Sequence, residues 1–481
     1  MLSSMGKQKK MARKKQKNVI VEQVSFTGIA DRGKSIGRNE EGRVFFAQDV
    51  APGDVADLLI IKKKNEYREG VPVKFHKYSE ERVEPFCKHF GTCGGCKWQH
   101  ITYEAQAKYK HDVVENNLRR IGKIEVADFR PLMKAKDTVY YRNKLEFAFS
   151  NKRWLTKEEL NTDISNEEDV LGFHRAGAFD KILDIDHCWL QSELSNEIRN
   201  GIKKIGLDQK LPFFDLRQNK GFLRHILIRT SSLGELMLIV SIHENDPDRI
   251  NPFLDEILKQ FPQITTLIYC INPKLNDFLL DLEMVTYHGP GYIQERLGHV
   301  LFRIGPKSFF QTNTGQAKEL YDVVVDFAEL KGDENVYDLY TGLGSIALYV
   351  AKNCKQVVGI EEVEDAIEDA KVNAKLNDID NAVFYAGDVK DILTEDFSRK
   401  HGKPDLLITD PPRAGMHAKV VEMLLQLEAP RMVYVSCNPA TQARDLNLLK
   451  EKYDVLKAQP VDMFPHTHHI ENVVLLQLRK E

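Results

Sequence analysis

Apolar and polar positions along the chain change period three times. Over residues 18–77, short apolar runs (19–21, 44–47 and 55–61) alternate with turns at Gly33, Gly37, Gly42 and Gly53, which predicts a small β-barrel. Residues 103–121 place Ala107, Val113, Val114 and Leu118 at helical spacing and stop at Gly122, so this stretch reads as a helix. Strand patterns resume at 144–149, 223–230, 235–242 and 266–271, interrupted by a polar stretch, 151–169, that reads as a solvated loop with a short helix. No internal repeat is seen. From residue 336 the order becomes strand (336–339), glycine turn (342–344), helix (345–352) and strand (356–360), the alternation of a doubly wound α/β sheet. Further strands at 406–409, 431–436 and 473–478 each follow a helical stretch, which predicts one sheet with crossover helices.

At roughly 100–200 residues per domain, 481 residues suggest a multi-domain chain. The boundaries fall at a basic tail (1–17), an OB-like β-barrel (18–80), a central α+β domain (81–300) and a Rossmann-like α/β domain (301–481). No run of about 18 apolar residues is present to span a bilayer, and no apolar core of an export signal opens the chain, so a cytoplasmic, membrane-free protein is expected. A net charge of −3 excludes a uniformly basic protein, so any nucleic-acid contact must come from local patches such as residues 7–17. That stretch reads as a disordered arm, with an RNA-contacting arm or a transit peptide as alternatives. Seven cysteines are few for this length, and a reducing compartment disfavours disulfides, yet Cys87, Cys93 and Cys96 fall within ten residues.

Asp338-Leu-Tyr-Thr-Gly342-Leu-Gly344 places two glycines directly after an apolar strand, where backbone must approach a ligand closely. Glu361, at the end of the next strand, is placed to accept from ribose hydroxyls. The third glycine of a dinucleotide fingerprint is missing, with Ala347 and Leu348 in that region, which favours S-adenosylmethionine (SAM) over another nucleotide or a structural turn. Asp388 sits at the following strand end, where adenine would lie, and taken alone it reads better as an N-cap for residues 389–393. Asp410-Pro-Pro-Arg413 stiffens a loop at the same edge; amine methyltransferases carry an aromatic where Arg413 stands, which counts against amine methylation. Ser436-Cys437-Asn438-Pro439 brings a thiol to a turn at this edge, whereas Cys270 and Cys354 read as core cysteines. Glu471, after His466, His468 and His469, can act as a base; the histidines read as hydrogen-bonding groups before metal ligands.

Taken together these residues resemble the RNA uracil-5 methyltransferase family, and most closely its 23S ribosomal RNA branch of the RumA type. The likeness rests on five motifs in order: Ser308-Phe-Phe-Gln311-Thr-Asn313, Asp338 to Gly344, Asp410-Pro-Pro-Arg413-Ala-Gly415, Ser436-Cys437-Asn438-Pro439-Ala-Thr441 and His469-Ile-Glu471. The resemblance implies Cys437 as the nucleophile that adds to carbon 6 of uracil, Glu471 as the base that removes the carbon-5 proton, and SAM contacts at Gln311, Tyr340, Ser345, Glu361, Asp388 and Asp410. Thr341 and Ser345 depart from the cysteine and asparagine common there. The resemblance also implies a 4Fe-4S cluster on Cys87, Cys93, Cys96 and Cys188, with zinc held alongside His89 or His100 as the competing reading and a metal-free loop as the structural one. The barrel resembles the family's TRAM module, with Arg32, Lys34, Arg38, Lys62, Lys63 and Lys64 as phosphate contacts. RNA is thus the expected partner, 23S rRNA before tRNA, with no obligate protein partner. A non-catalytic RNA-binding protein on the same scaffold is the rival, opposed by the presence of Cys437, Glu471 and Gln311.

Overall fold

A computed structural model describes residues 19–155, 159–175 and 180–480, so the basic stretch 7–17 lies outside the described residues. The chain forms two compact units, which divide in sequence between Val83 and Glu84.

The first unit contains a closed barrel of β1 (Ile20–Ile29), β2 (Ser35–Arg38), β3 (Val44–Ala47), β4 (Val55–Lys63) and β5 (Tyr67–Lys77), in the order β1-β2-β3-β5-β4. Alternation buries Val24, Phe26, Phe45, Ala47, Ala56 and Leu58 as its core. The OB-like expectation holds for this barrel. Two of the expected phosphate contacts are otherwise engaged: Lys34 and Lys62 both donate to Glu69, at 2.5 and 2.9 Å.

In the second unit, α1 (Tyr103–Asn117) and the short β6 (Asp128–Phe129) precede a seven-stranded sheet. That sheet comprises β7 (Lys144–Ser150), β8 (Val170–His174), β9 (Ile182–Asp184), β10 (Leu223–Thr230), β11 (Leu236–Ile242), β12 (Thr266–Ile271) and β13 (Val285–His288), in the order β13-β12-β11-β10-β7-β8-β9. Helices α2 (Glu193–Asp208) and α3 (Pro247–Gln260) bury Ile198, Ile202, Phe253 and Ile257 against Ile226, Leu238 and Val240 of this sheet. A hairpin, β14 (Ile293–Leu297) and β15 (Val300–Ile304), leads into α4 (Thr314–Ala328).

The final layer runs β16 (Asn335–Leu339), α5 (Ser345–Ala351), β17 (Gln356–Glu361), α6 (Glu364–Leu376), β18 (Ala382–Ala386), α7 (Val389–Ile392), α8 (Glu395–His401), β19 (Leu406–Thr409), α9 (Ala418–Leu427), β20 (Arg431–Ser436), α10 (Pro439–Leu449), β21 (Tyr453–Val461) and β22 (Glu471–Leu478). Its sheet order is β18-β17-β16-β19-β20-β22-β21-β6, parallel from β18 to β20. The Rossmann-like expectation is met in this parallel part. The expected helix crossover into the last strand is corrected: β22 follows β21 and runs antiparallel to both β20 and β21.

A boundary at residue 300 is not a break between compact units. β6 pairs with β21, Lys110 of α1 reaches Asp462, and Leu227, Met237, Ile239 and Ile268 share one apolar core with Val336, Ile408 and Val473. Residues well before 300 thus help to build the eight-stranded sheet.

Candidate functional site

The carboxyl ends of β16, β17, β18 and β19 form one edge, and the loops leaving them carry most of the expected cofactor residues. Between β16 and α5 the chain turns through left-handed backbone at Tyr340, Gly342 and Gly344. At Gly344 (φ 82°) a Cβ would also stand 3.1–3.3 Å from Ala370, Phe384 and Leu348, so this position needs glycine. Asp338 is buried beneath the turn and accepts from Thr341 Oγ1 (2.5 Å) and the Ala347 amide (3.1 Å), which ties the loop to the first turns of α5. Burial pushes its pKa up to about 7, against the pull of those two hydrogen bonds.

Glu361 accepts from the Gly342 amide at 3.1 Å and from the Val363 amide at 3.1 Å, one on each oxygen, and each oxygen keeps a lone pair for a ribose hydroxyl. Asp388 is the N-cap of α7 and is paired with Lys390, so its structural reading is realised; Lys390 is also the main reason its pKa is lowered. Ser345 shares a 2.8 Å hydrogen bond with Tyr321, a buried residue of α4. Tyr340 is raised to about 12, first by burial and then by the charges of Asp388, Asp445 and Glu361. Gln311 lies just before α4, in a loop fastened by Asn143 Nδ2 donating to the Gln311 carbonyl (2.9 Å) and Asn313 Nδ2 donating to the Met463 carbonyl (3.0 Å).

The antiparallel strand brings together the expected nucleophile and the expected base. Ser436 of β20 is in register with Asn472 of β22, which places Cys437, the residue after β20, beside Glu471, the first residue of β22, at the same edge. Asn438 caps α10 through the Ala440 amide, and its Nδ2 donates to the Arg413 carbonyl at 2.9 Å, which locks the thiol turn onto the Asp410 loop. Burial pushes the Cys437 thiol up to about 12, reinforced by Glu471 and Asp410, while the Arg413 guanidinium, in hydrogen-bonding reach of the sulfur, draws it down. Glu471 is raised well above the usual carboxylate range by burial and by Asp410, with Arg413 again opposing. Asp410 is raised by burial and by Asp338. The centre therefore gathers a thiol and carboxyl groups of raised pKa around one guanidinium. Sequence reasoning gives Arg413 no such part; its position in the Asp-Pro-Pro-Arg motif is the available signal.

The histidines ahead of Glu471 are held neutral by burial, with His466 and His469 lowered to about 4 and His468 to about 3. The His466 amide donates to Gln106 Oε1 (2.9 Å), and the His466 carbonyl accepts from the amides of Lys97 (2.8 Å) and Trp98 (3.1 Å). The fully buried Lys110 donates to Asp462 Oδ1 (2.6 Å) and to the Phe464 carbonyl (3.0 Å). Helix α1 and the segment after Cys96 thus brace the turn that presents Glu471.

Cys87, Cys93, Cys96 and Cys188 line one cavity of about 480 Å³. Burial raises Cys93 to about 11 and Cys96 to about 12, and mutual repulsion with the neighbouring thiols adds to both. His89 is engaged by Asp186 at 2.7 Å. Cys270 and Cys354 are buried in the core, as expected.

Residues 290–479 match the family described as tRNA (Uracil-5-)-methyltransferase. An uncharacterized RNA methyltransferase of Bacteroides thetaiotaomicron is 52% identical over 455 residues, covering 94% of this chain and 100% of the relative. One of Porphyromonas gingivalis is 50% identical over 461 residues, covering 94% and 99%. Among solved structures, the Pyrococcus abyssi tRNA (uracil-54, C5)-methyltransferase in complex with S-adenosyl-L-homocysteine is similar with a TM-score of 0.72 at 27% identity, covering 94% of this chain and 100% of that one.

Proposed function

The chain belongs to the RNA uracil-5 methyltransferase family and is a SAM-dependent enzyme, and from that premise we propose that it methylates carbon 5 of a uridine in 23S rRNA through a covalent Cys437–uracil adduct. The observation that carries the chemistry is the register of β20 and β22, which sets a thiol beside a carboxyl group at the cofactor edge. Carbon 5 of uracil is a poor nucleophile. Addition of the Cys437 thiolate to carbon 6 turns the ring into an enolate whose carbon 5 can attack an electrophilic methyl group. SAM supplies that methyl when bound, with Gln311, Tyr340, Ser345, Glu361, Asp388 and Asp410 as its contacts. Glu471 then takes the carbon-5 proton, and the C–S bond breaks to release 5-methyluridine and the Cys437 thiolate. Arg413 stabilises the thiolate before addition and again when it leaves.

Cys87, Cys93, Cys96 and Cys188 would hold a 4Fe-4S cluster: four thiols around one cavity, with His89 committed to Asp186, suit a sulfur-only donor set. Methyl transfer needs no electron, so its role is to fix the loop whose Lys97 and Trp98 amides hold His466. In the first unit, a TRAM-like barrel would contact RNA through Arg32, Arg38, Lys63 and Lys64.

A second reading, the same chemistry on tRNA, is favoured by the Pyrococcus abyssi neighbour, which is itself a tRNA enzyme. Mapping 5-methyluridine in all RNA from cells lacking this protein decides between them. Loss of the mark from a 23S rRNA position supports the proposal; loss from tRNA alone replaces it.

A further inference from the structure

Away from the catalytic edge, three metal-ligating side chains from distant parts of the sequence converge beside the seven-stranded sheet. His225 of β10 is in register with Ala148 of β7, and Ala148 with Gly172 of β8. His174 lies two residues beyond Gly172, so the period of a strand puts both imidazoles on one face. Ala148 carries only a methyl group and Gly172 no side chain, and the two rings close over the intervening strand to 6.2 Å between centroids, nearly parallel at 24°.

Asp277 arrives from the loop after β12. The buried Arg224 pulls that loop in, donating to Asp277 Oδ1 at 2.9 Å and to the carbonyls of Asn272 (2.7 Å) and Asn276 (3.2 Å). This leaves Asp277 Oδ2 facing the imidazoles, 3.5 Å from His225 Nε2 and 3.9 Å from His174 Nε2. One ligand atom from each of the three residues lies within 4.8 Å of the other two. Nitrogen and oxygen ligands held at about 2.0–2.2 Å from one zinc ion stand roughly 3–3.5 Å apart, so the side chains need close only slightly.

We propose that His174, His225 and Asp277 form a binding site for a divalent transition-metal ion, zinc by preference, separate from the four-cysteine site. Two imidazoles and one carboxylate suit zinc; magnesium and calcium prefer all-oxygen sets, and the soft thiols of the cysteine loop are a different donor class. Arg224 acts as the outer partner that orients the carboxylate. The three ligands line the same cavity as the cysteines, which leaves the fourth coordination position for water or a ligand from that cavity. An ion there would tie the 272–284 loop, with its exposed Leu275 and Phe278, to β8 and β10.

The test uses full-length protein whose cysteine site has been filled by anaerobic reconstitution and whose iron has been counted. Zinc is then titrated against a chromogenic chelator. The expected result is one zinc per chain beyond the iron, lost in His225→Ala. Binding should weaken at least about tenfold in the milder His174→Gln, with iron content and methyl transfer unchanged in both. Equal zinc binding by wild type and His174→Gln, or no zinc beyond the iron in wild type, overturns the proposal. Should the cysteines take zinc in place of iron, wild type would hold two zinc ions, one lost with Cys188→Ser and the other lost with His225→Ala and weakened with His174→Gln. Failure of the cluster reading therefore leaves this one testable, and a single zinc lost only with Cys188→Ser refutes it.

Discussion

Cys437 and Cys96 are both pushed up to about 12 by burial, yet they stand in opposite company. Around Cys437 a guanidinium opposes the burial, and a carboxyl group waits beside it to take or give a proton. Around Cys96 the charges that act on the sulfur are those of Cys188, Cys93 and Cys87, each of which raises its pKa further, and only a neutral amide, Gln99, opposes. A protein cation can ionise one thiol for long enough to attack a base; four crowded thiols ionise together only when a metal or cluster supplies the charge. Burial alone does not separate a nucleophile from a ligand. The compensating charge does.

The strongest break in that comparison is to remove the proposed nucleophile. Cys437→Ala should lower methyl transfer by roughly 10⁴-fold or more while SAM affinity stays unchanged, because the sulfur acts on the base and not on the cofactor. Glu471→Gln should cut turnover by about 10²–10⁴-fold and leave a covalent enzyme–RNA adduct visible on denaturing gels. Full turnover without any adduct would remove Glu471 from the role of base. On the other side, Cys188→Ser should lose the iron and the brown colour, and weaken RNA binding before it touches SAM affinity. Both dissociation constants must be measured at one salt concentration, since RNA affinity depends steeply on ionic strength. Unchanged RNA affinity in a folded, iron-free variant would show that the cysteine site does not position RNA.

Arg413 tests the compensating charge itself. Its removal raises the thiol pKa, and a thiol whose pKa climbs by about one holds roughly tenfold less thiolate at neutral pH. Arg413→Ala should therefore lose activity about tenfold or more at pH 7, and the rising limb of its pH–rate profile should move to higher pH. Arg413→Lys should restore part of the loss. An unmoved profile would mean that the guanidinium does not act on the sulfur.

The two sites also differ in how far they are legible in the sequence. The strands 406–409 and 431–436 match β19 and β20 residue for residue, because buried parallel strands read as continuous apolar runs with sharp ends. β21 escapes that reading: Tyr453–Val461 mixes Asp454, Lys457 and Gln459 into the strand, so no clean period marks it. With it goes the antiparallel reversal that explains why Glu471 stands beside Cys437. Cys188 is reached only through family resemblance, since nothing local ties it to a loop about a hundred residues earlier. His174, His225 and Asp277 give no sequence signal at all, because their meeting depends on the register across β7 and on Arg224 gathering a distant loop.

The smallest expected effect sharpens the catalytic side alone. Asp338 has its pKa raised to about 7 by burial, and Asp410 and Glu471 are raised beside it, so near neutral pH this centre carries protons it would shed if a positive charge entered. SAM brings such a charge on its sulfonium; S-adenosylhomocysteine has nearly the same shape without it. The free protein then binds more protons than the SAM complex, so linkage makes SAM affinity rise with pH, by at most about tenfold per pH unit for each proton released, in the window around 6–8. Calorimetric titration in two buffers of different ionisation enthalpy should show roughly one proton released on SAM binding at pH 7 and almost none on S-adenosylhomocysteine binding. Asp338→Asn should reduce that release, and Cys188→Ser should leave it untouched because the cysteine cavity takes no part in it. Equal proton release for both ligands would show that the sulfonium charge is not what these buried carboxyl groups answer.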